Sequence, residues 1–286
     1  MKKDKTISGP SSLNISLEEL ESLKGYIIKN QLKRDSIKSE YELLRIKDGN
    51  ISIIVYKSGK LVHNNSEESK KVIREVLQSE MKYDYMLGSD ETGKGEWYGP
   101  LVACCVALEP HLLDAVRMLG VRDSKSLKKE QIMSLAQKLI ELGIVFNSVV
   151  LLPETYNRMY EEFKQEDKSL NDLLAWTHSR AIKVTLDKLR FKSAKLVIDK
   201  FDVEKTYKRL YTLDTNKIEI IQKSKGESEI PVAAASILAK RTFEVTVDEL
   251  NEKYNVDLRS QSPSDIDPSL LKLLFKTHFK NVKKYL

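Results

Sequence analysis

The chain has 286 residues, 41% apolar and 31% charged, with 11 Gly and 7 Pro; that balance builds a packed core and excludes a disordered or collagen-like protein. Forty-eight basic against 42 acidic side chains give a formal charge of +6 and a pI near 9.0, an excess that favours polyanions without naming one. No apolar run reaches the ~18 residues of a membrane span, no apolar signal segment follows Met1–Lys5, and adjacent Cys104 and Cys105 suit no disulfide, so a cytoplasmic protein without membrane contact is expected.

Residues 1–12 are polar and basic and are expected to be a flexible N-terminus. Ser16, with Glu19 three positions on, reads as a capping box; Leu17, Leu20, Leu23 and Ile27 follow at helical spacing. Runs 41–46 and 51–56 are β-like and flank Asp48-Gly49-Asn50, a hairpin turn. Ser58-Gly59-Lys60 turns the chain into Leu61-Val62-His63, and Val72, Ile73 and Val76 mark a helix over 65–79. Residues 13–80 therefore read as a small α+β module of helix, meander and helix.

The pattern changes near residue 82, and 82–286 reads as a second, larger domain. Residues 85–89 form a strand running into Asp90-Glu91, and 101–108 is continuously apolar, as a strand covered on both faces would be. Residues 146–152 form a third strand stopped by Pro153; helices follow Lys128 and Asn171; 195–199 and 218–221 are further strands; a long helix opens near Val232 and reaches about Tyr254. Successive strands followed by alternating strands and helices imply an α/β domain with a mixed sheet flanked by helices.

Chemistry concentrates in Asp90-Glu91-Thr92-Gly93-Lys94-Gly95-Glu96. Neighbouring carboxylates on an ideal strand point to opposite faces, so bringing both to one cation requires the backbone to leave strand geometry at once, a turn that Gly93 and Gly95 permit. Carboxylate oxygens suit hard cations such as Mg²⁺; the competing reading is a solvated acidic turn. Asp199 closes an apolar strand, where an unpaired charge is costly. Glu227 precedes the Val232 helix, a position that also suits an acid simply facing a helix N-terminus. Asp202, one turn beyond Asp199, either substitutes for or assists it or, the favoured reading, is a surface residue.

These residues, with Tyr98-Gly99-Pro100-Leu101-Val102, Val121-Arg122-Asp123-Ser124-Lys125-Ser126-Leu127, Val197-Ile198-Asp199 and the Val232–Lys240 stretch, resemble the signature of the type 2 ribonucleases H in the right order. Thr92 after the acidic pair, Glu96 after the second glycine, Pro153-Glu154-Thr155-Tyr156-Asn157 and the closing Thr277–Lys284 stretch are similar to the HIII group rather than HII. The N-terminal module around residues 56–62 is similar to the TBP-like substrate-binding domain of HIII.

The resemblance implies a ribonuclease H-like fold and endonucleolytic cleavage of the RNA strand of RNA–DNA hybrids. It implies Mg²⁺ or Mn²⁺ held by Asp90, Glu91, Asp199 and Glu227, the last fitting a Lys-x-Glu-Ser pattern one residue closer to Val232 than usual. Two ions about 4 Å apart would clamp the attacking and leaving oxygens, giving 5′-phosphate and 3′-hydroxyl ends. Gly93, Lys94 and Gly95 are expected to approach the 2′-hydroxyl, and Ser124 and Lys125 a phosphate. Other readings are HII-like incision at single ribonucleotides in duplex DNA, and a nucleic-acid-binding protein without catalysis. A monomer is expected.

Lys272, Lys276, Lys280, Lys283 and Lys284 either track phosphates or form the solvated face of a helix whose Leu271, Leu274, Phe275 and Phe279 pack inward. Cys104 and Cys105 read as strand packing and Trp176 as core, while Trp97 stacks on substrate or rims the site. His63, His111 and His178 form no zinc pattern, and His278 belongs to the family-like tail.

Overall fold

The computed structural model describes residues 10–77, 83–121, 127–199, 216–223 and 226–286, with Glu204, Lys208 and Leu210 singly. The chain divides into two compact units, Met1–Lys82 and Tyr83–Leu286.

In the first unit, β1 (Ser11–Asn14) leads into α1 (Leu17–Lys29), β2 (Glu42–Asp48), β3 (Ile51–Tyr56), β4 (Lys60–His63) and α2 (Glu67–Leu77). The capping box forms: Glu19 N donates to Ser16 Oγ at 3.1 Å and Ser16 N to Glu19 Oε2 at 2.6 Å. Gly49, at φ +53°, makes the hairpin turn between β2 and β3. The strands form an antiparallel sheet in the order β1-β4-β3-β2. Period-two alternation puts Leu44, Ile46, Ile53, Val55 and Leu61 into one core with Leu20, Leu23, Ile27, Val72, Ile73 and Val76 of the helices. Leu43, Arg45, Ile54, Tyr56 and Val62 occupy the alternate positions and keep some exposure. The stretch expected to stay loose to residue 12 is already strand at Ser11. Within β1 only Leu13 is buried; the strand is held by backbone pairing to β4, which leaves no apolar period in the sequence.

The second unit contains β5 (Tyr85–Thr92), β6 (Leu101–Leu108), α3 (Pro110–Met118), α4 (Lys129–Glu141), β7 (Val145–Leu151), α5 (Pro153–Gln165) and α6 (Leu170–Leu186). After these come β8 (Ala194–Asp199), β9 (Ile218–Lys223), α7 (Ile230–Tyr254) and the short α8 (Leu271–Leu274) and α9 (Lys280–Lys283). The sheet runs β7-β6-β5-β8-β9. Strands β5, β6 and β7 pair antiparallel, while β8 and β9 continue parallel to β5. This is the mixed sheet that the strand order implied. Every residue of β6 is buried, because Val102, Cys104, Val106 and Leu108 pack with α7 while Cys105 and Ala107 pack with Ala181, Ile182 and Leu186 of α6.

Helix α7 lies against β5 so closely that a Cβ on Gly88 would sit 2.2 Å from the Pro231 carbonyl carbon. Helices α3 and α5 were not expected. Each begins with proline, at Pro110 and Pro153, where the missing N–H would have had no helical partner anyway. The C-terminal segment departs from the single amphipathic helix expected: helix is confined to α8 and α9, and Lys276 between them is fully buried.

Candidate active site

Strand β5 carries the acidic pair, and strand geometry outlasts the pair by one residue before the turn expected at the glycines. The backbone stays in strand through Thr92, still paired to Val102 of β6. Asp90 and Glu91 therefore leave the sheet on opposite faces. The turn comes at Gly93, whose φ is +89° and where a Cβ would meet Pro100 O at 2.2 Å. Gly95 has no heavy atom within 4 Å of its Cβ position, so of the two glycines only Gly93 is structurally obligatory.

Asp90 faces α7. Ser89 pairs with Ile198 in the parallel β5–β8 register, which carries Asp90 alongside Asp199 at the carboxyl ends of adjacent strands. Burial, and then the charge of Glu91, push the Asp90 carboxyl up to about 6, although Ser236 of α7 hydrogen-bonds it. Asp199 accepts the Gly226 N–H on Oδ1 at 2.8 Å. Gly226 itself admits little else, since a Cβ there would lie 3.0 Å from Asp199 Cα.

Glu91 faces α6. Burial works to raise its carboxyl, but the His178 hydrogen bond, with the His178 and Lys94 charges, outweighs it and holds Glu91 below the usual range. His178 Nε2 lies 3.1 Å from Glu91 Oε2, and Lys94 Nζ is 4.0 Å from Oε1. The sequence reading set His178 aside for lack of a zinc pattern; its fixed place on α6 opposite Glu91 is a tertiary relation that spacing does not carry.

Among the described residues, no three His, Cys, Asp or Glu side chains gather closely enough to hold an ion unaided. The side chain of Glu227 lies outside the described residues, though its backbone forms a single 3₁₀ turn, Gly226–Ser228, ahead of α7. Ser124, Lys125 and Asp202 lie outside them as well. The donor set fits a hard divalent cation: it is all oxygen, and Asp90 is a buried acid whose ionisation its surroundings oppose, a cost that a bound cation relieves.

The wall beside this turn is built by the C-terminal segment. Lys276 Nζ donates to Glu96 O at 2.9 Å and Tyr98 O at 3.1 Å, and Lys276 N to Trp97 O at 2.8 Å. Burial pushes its ammonium down to about 7, while the carbonyl dipoles favour the charged form. Lys276 thus neither tracks phosphate nor lies on a solvated face. Trp97 stacks on Phe275 with centroids 5.3 Å apart, which makes it part of this wall. Asn157 of α5 fastens the segment, donating to Lys272 O and Phe275 O and accepting from Thr277 N. His278 stacks on Tyr160 at 4.7 Å.

The sequence model of the family described as Ribonuclease HII matches residues 87–285, and the chain belongs to the type 2 ribonucleases H. Curated relatives include the ribonuclease HIII of Chlamydia felis, 30% identical over 94% of this chain and 93% of that protein. That of Chlamydia pneumoniae is 31% identical over 88% and 92%. Among solved structures, Bst-RNase HIII in complex with Mn²⁺ superposes with a TM-score of 0.61 at 20% identity, covering 97% of this chain and 98% of that one. RNase H3 of Aquifex aeolicus gives 0.55 at 24% identity, covering 94% and 100%. Within the family the chain falls in the ribonuclease HIII group, and it is a nuclease with ribonuclease H endonuclease activity. No helix among the described residues is long and apolar enough to cross a membrane.

Proposed function

We propose that this chain hydrolyses phosphodiesters in the RNA strand of RNA–DNA hybrids, with Mg²⁺ or Mn²⁺ held by Asp90, Glu91, Asp199 and Glu227. The observation that carries this reading is that the parallel β5–β8 register ends with Ser89 opposite Ile198, the residues just before Asp90 and Asp199, with the Asp90 carboxyl pushed up to about 6 by burial and by Glu91. Ions held by these residues would supply a lowered pKa for the attacking water and stabilisation of the departing 3′ oxygen, which would leave 5′-phosphate and 3′-hydroxyl ends.

The chain's own groups set the stage. Gly226 N–H orients Asp199, and the turn at Gly93 projects Lys94 and Gly95 where a ribose passes. Backbone atoms of Gly93, Lys94 and Gly95 read the 2′-hydroxyl, the local mark of RNA. Lys94, with Ser124 and Lys125, takes phosphate. The N-terminal unit grips the duplex through the sheet face bearing Leu43, Arg45, Ile54, Tyr56 and Val62. Support for that comes from an open groove of about 320 Å³ lined by Tyr41, Tyr56, Lys57, Ser58, Lys60 and Val62, mixing aromatic and basic groups. The protein acts as a monomer in the cytoplasm, and free, buried Cys104 and Cys105 support the reducing compartment.

Asp199→Asn, assayed on a uniform hybrid with Mg²⁺ and with Mn²⁺, is expected to abolish cleavage; retained cleavage would overturn the site. Mapping products on that hybrid and on a duplex with one embedded ribonucleotide separates HIII-like from HII-like specificity, with cutting within the RNA run expected here. Removing residues 1–80 is expected to raise KM with little change in kcat, and unchanged hybrid affinity would refute the role given to the N-terminal unit.

A further inference from the structure

Ser89 and Glu91 lie two residues apart on β5 and share the face turned towards α6. His178 of α6 stands between them, fully buried. Its Nδ1 is 2.8 Å from Ser89 Oγ, and its Nε2 is 3.1 Å from Glu91 Oε2. Ser89 Oγ also lies 3.1 Å from the Cys104 carbonyl oxygen of β6. Ser89 gives its one hydroxyl proton to that carbonyl, so Nδ1–H donates to Ser89 Oγ and Nε2–H donates to the Glu91 carboxylate. Leu174, Ala175, Ala181 and Ile182, one turn before and after His178 on the same helix, are buried as it is. An imidazole held at both nitrogens within a packed core cannot swing, so the carboxylate oxygen it holds cannot swing either.

We propose that His178, braced by Ser89, is a positioning residue for Glu91: it anchors Oε2 and thereby aims Oε1 at the catalytic turn. The 4.0 Å approach of Lys94 Nζ to Oε1 marks that direction. The inference rests on Glu91 being a cation ligand, as proposed above. Groups that orient a ligating side chain from behind typically change metal affinity by roughly 10- to 100-fold when removed.

The test is Mn²⁺ binding measured by calorimetry on the full chain without nucleic acid, with the midpoint of Mn²⁺ activation of hybrid cleavage as a second readout. Glu91→Gln is expected to lose binding. His178→Ala is expected to weaken Mn²⁺ by roughly 10- to 100-fold and to regain much of its turnover at high Mn²⁺. His178→Gln, whose amide can still donate to Glu91, should recover part of the affinity. A His178→Ala protein that is folded but less heat-stable, with wild-type Mn²⁺ affinity, would reduce His178 to a core residue and overturn the proposal while leaving Glu91 as a ligand. If Glu91→Gln itself binds Mn²⁺ as wild type does, the ligand assignment fails and the proposal with it. Should His178→Ala not fold, Ser89→Ala decides: weakened Mn²⁺ binding supports the relay, and unchanged binding overturns it.

Discussion

Asp90 and Glu91 are neighbours on one strand, yet the two faces of the sheet treat them oppositely. On the α7 side, burial and the charge of Glu91 outweigh the Ser236 hydrogen bond, and the Asp90 carboxyl is driven up to about 6. On the α6 side, Glu91 is half-buried, but an imidazole and a lysine hold its carboxyl below the usual range. Strand alternation separates the two environments, so an acid's chemistry here follows from which helix it faces. One carboxylate is kept ready by partners, whereas the other is left short of a counter-charge that a cation can supply.

The largest expected effect breaks the pair at its strained member. Asp90→Asn should cut cleavage by more than the roughly 100-fold typical of an outer-shell change, yet stabilise the protein in chelator. The folded pKa of Asp90, about 6, lies above its ordinary 3.8, so the stabilisation it gives below pH 4 is lost as pH rises through 6. Above that pH, thermal unfolding in chelator should find Asp90→Asn ahead of wild type by on the order of 2–3 kcal/mol, with the gap closing towards pH 4. Glu91→Gln should do the reverse: its lowered carboxyl contributes stability above the ordinary Glu value, and losing the charged hydrogen bond should cost roughly 1–3 kcal/mol. Equal unfolding temperatures for the two variants would erase the contrast between the faces.

A second comparison sharpens where the strand ends. Gly93→Ala should cost roughly 2–4 kcal/mol, since it combines positive φ with a clash against Pro100 O. Gly95→Ala should stay within about 0.5 kcal/mol, because nothing surrounds it. Gly95→Val should nonetheless depress cleavage if its backbone approaches the ribose, which separates a functional glycine from a structural one. The smallest effect concerns Cys104 and Cys105, which face α7 and α6 respectively. Burial raises both thiols, Cys104 to about 12, so a thiol reagent at pH 8 should label neither in the native state. Fast labelling of one alone would show that its face opens.

Much of this was legible from side-chain pattern. The apolar run of β6, the capping box at Ser16 and the extent of α7 announce themselves through local spacing, whereas Asp90, Glu91 and Asp199 stand out as a set only through the resemblance to the type 2 ribonucleases H. What escaped depends on partners remote in sequence. β1 puts one apolar side chain, Leu13, into the core, too few to show a period. Lys276 looked like one lysine in a basic tail until its carbonyl partners, 178 and 180 residues earlier, came into view. His178 gave no sign, because a histidine acquires a role only when a helix sets it opposite an acid. The turn after the acidic pair falls at Gly93, one of the two glycines the sequence offered, but which of the two is obligatory depends on Pro100 O, seven residues on.

The lysine that ties down Glu96 and Tyr98 follows them by so much chain that synthesis order acquires a consequence. A growing polypeptide makes its acidic strand long before it makes the side chain that secures the neighbouring wall. The cleft therefore cannot take its finished shape until translation has passed residue 276, and premature termination upstream of that codon would release a protein that has its acids but not the brace beside them.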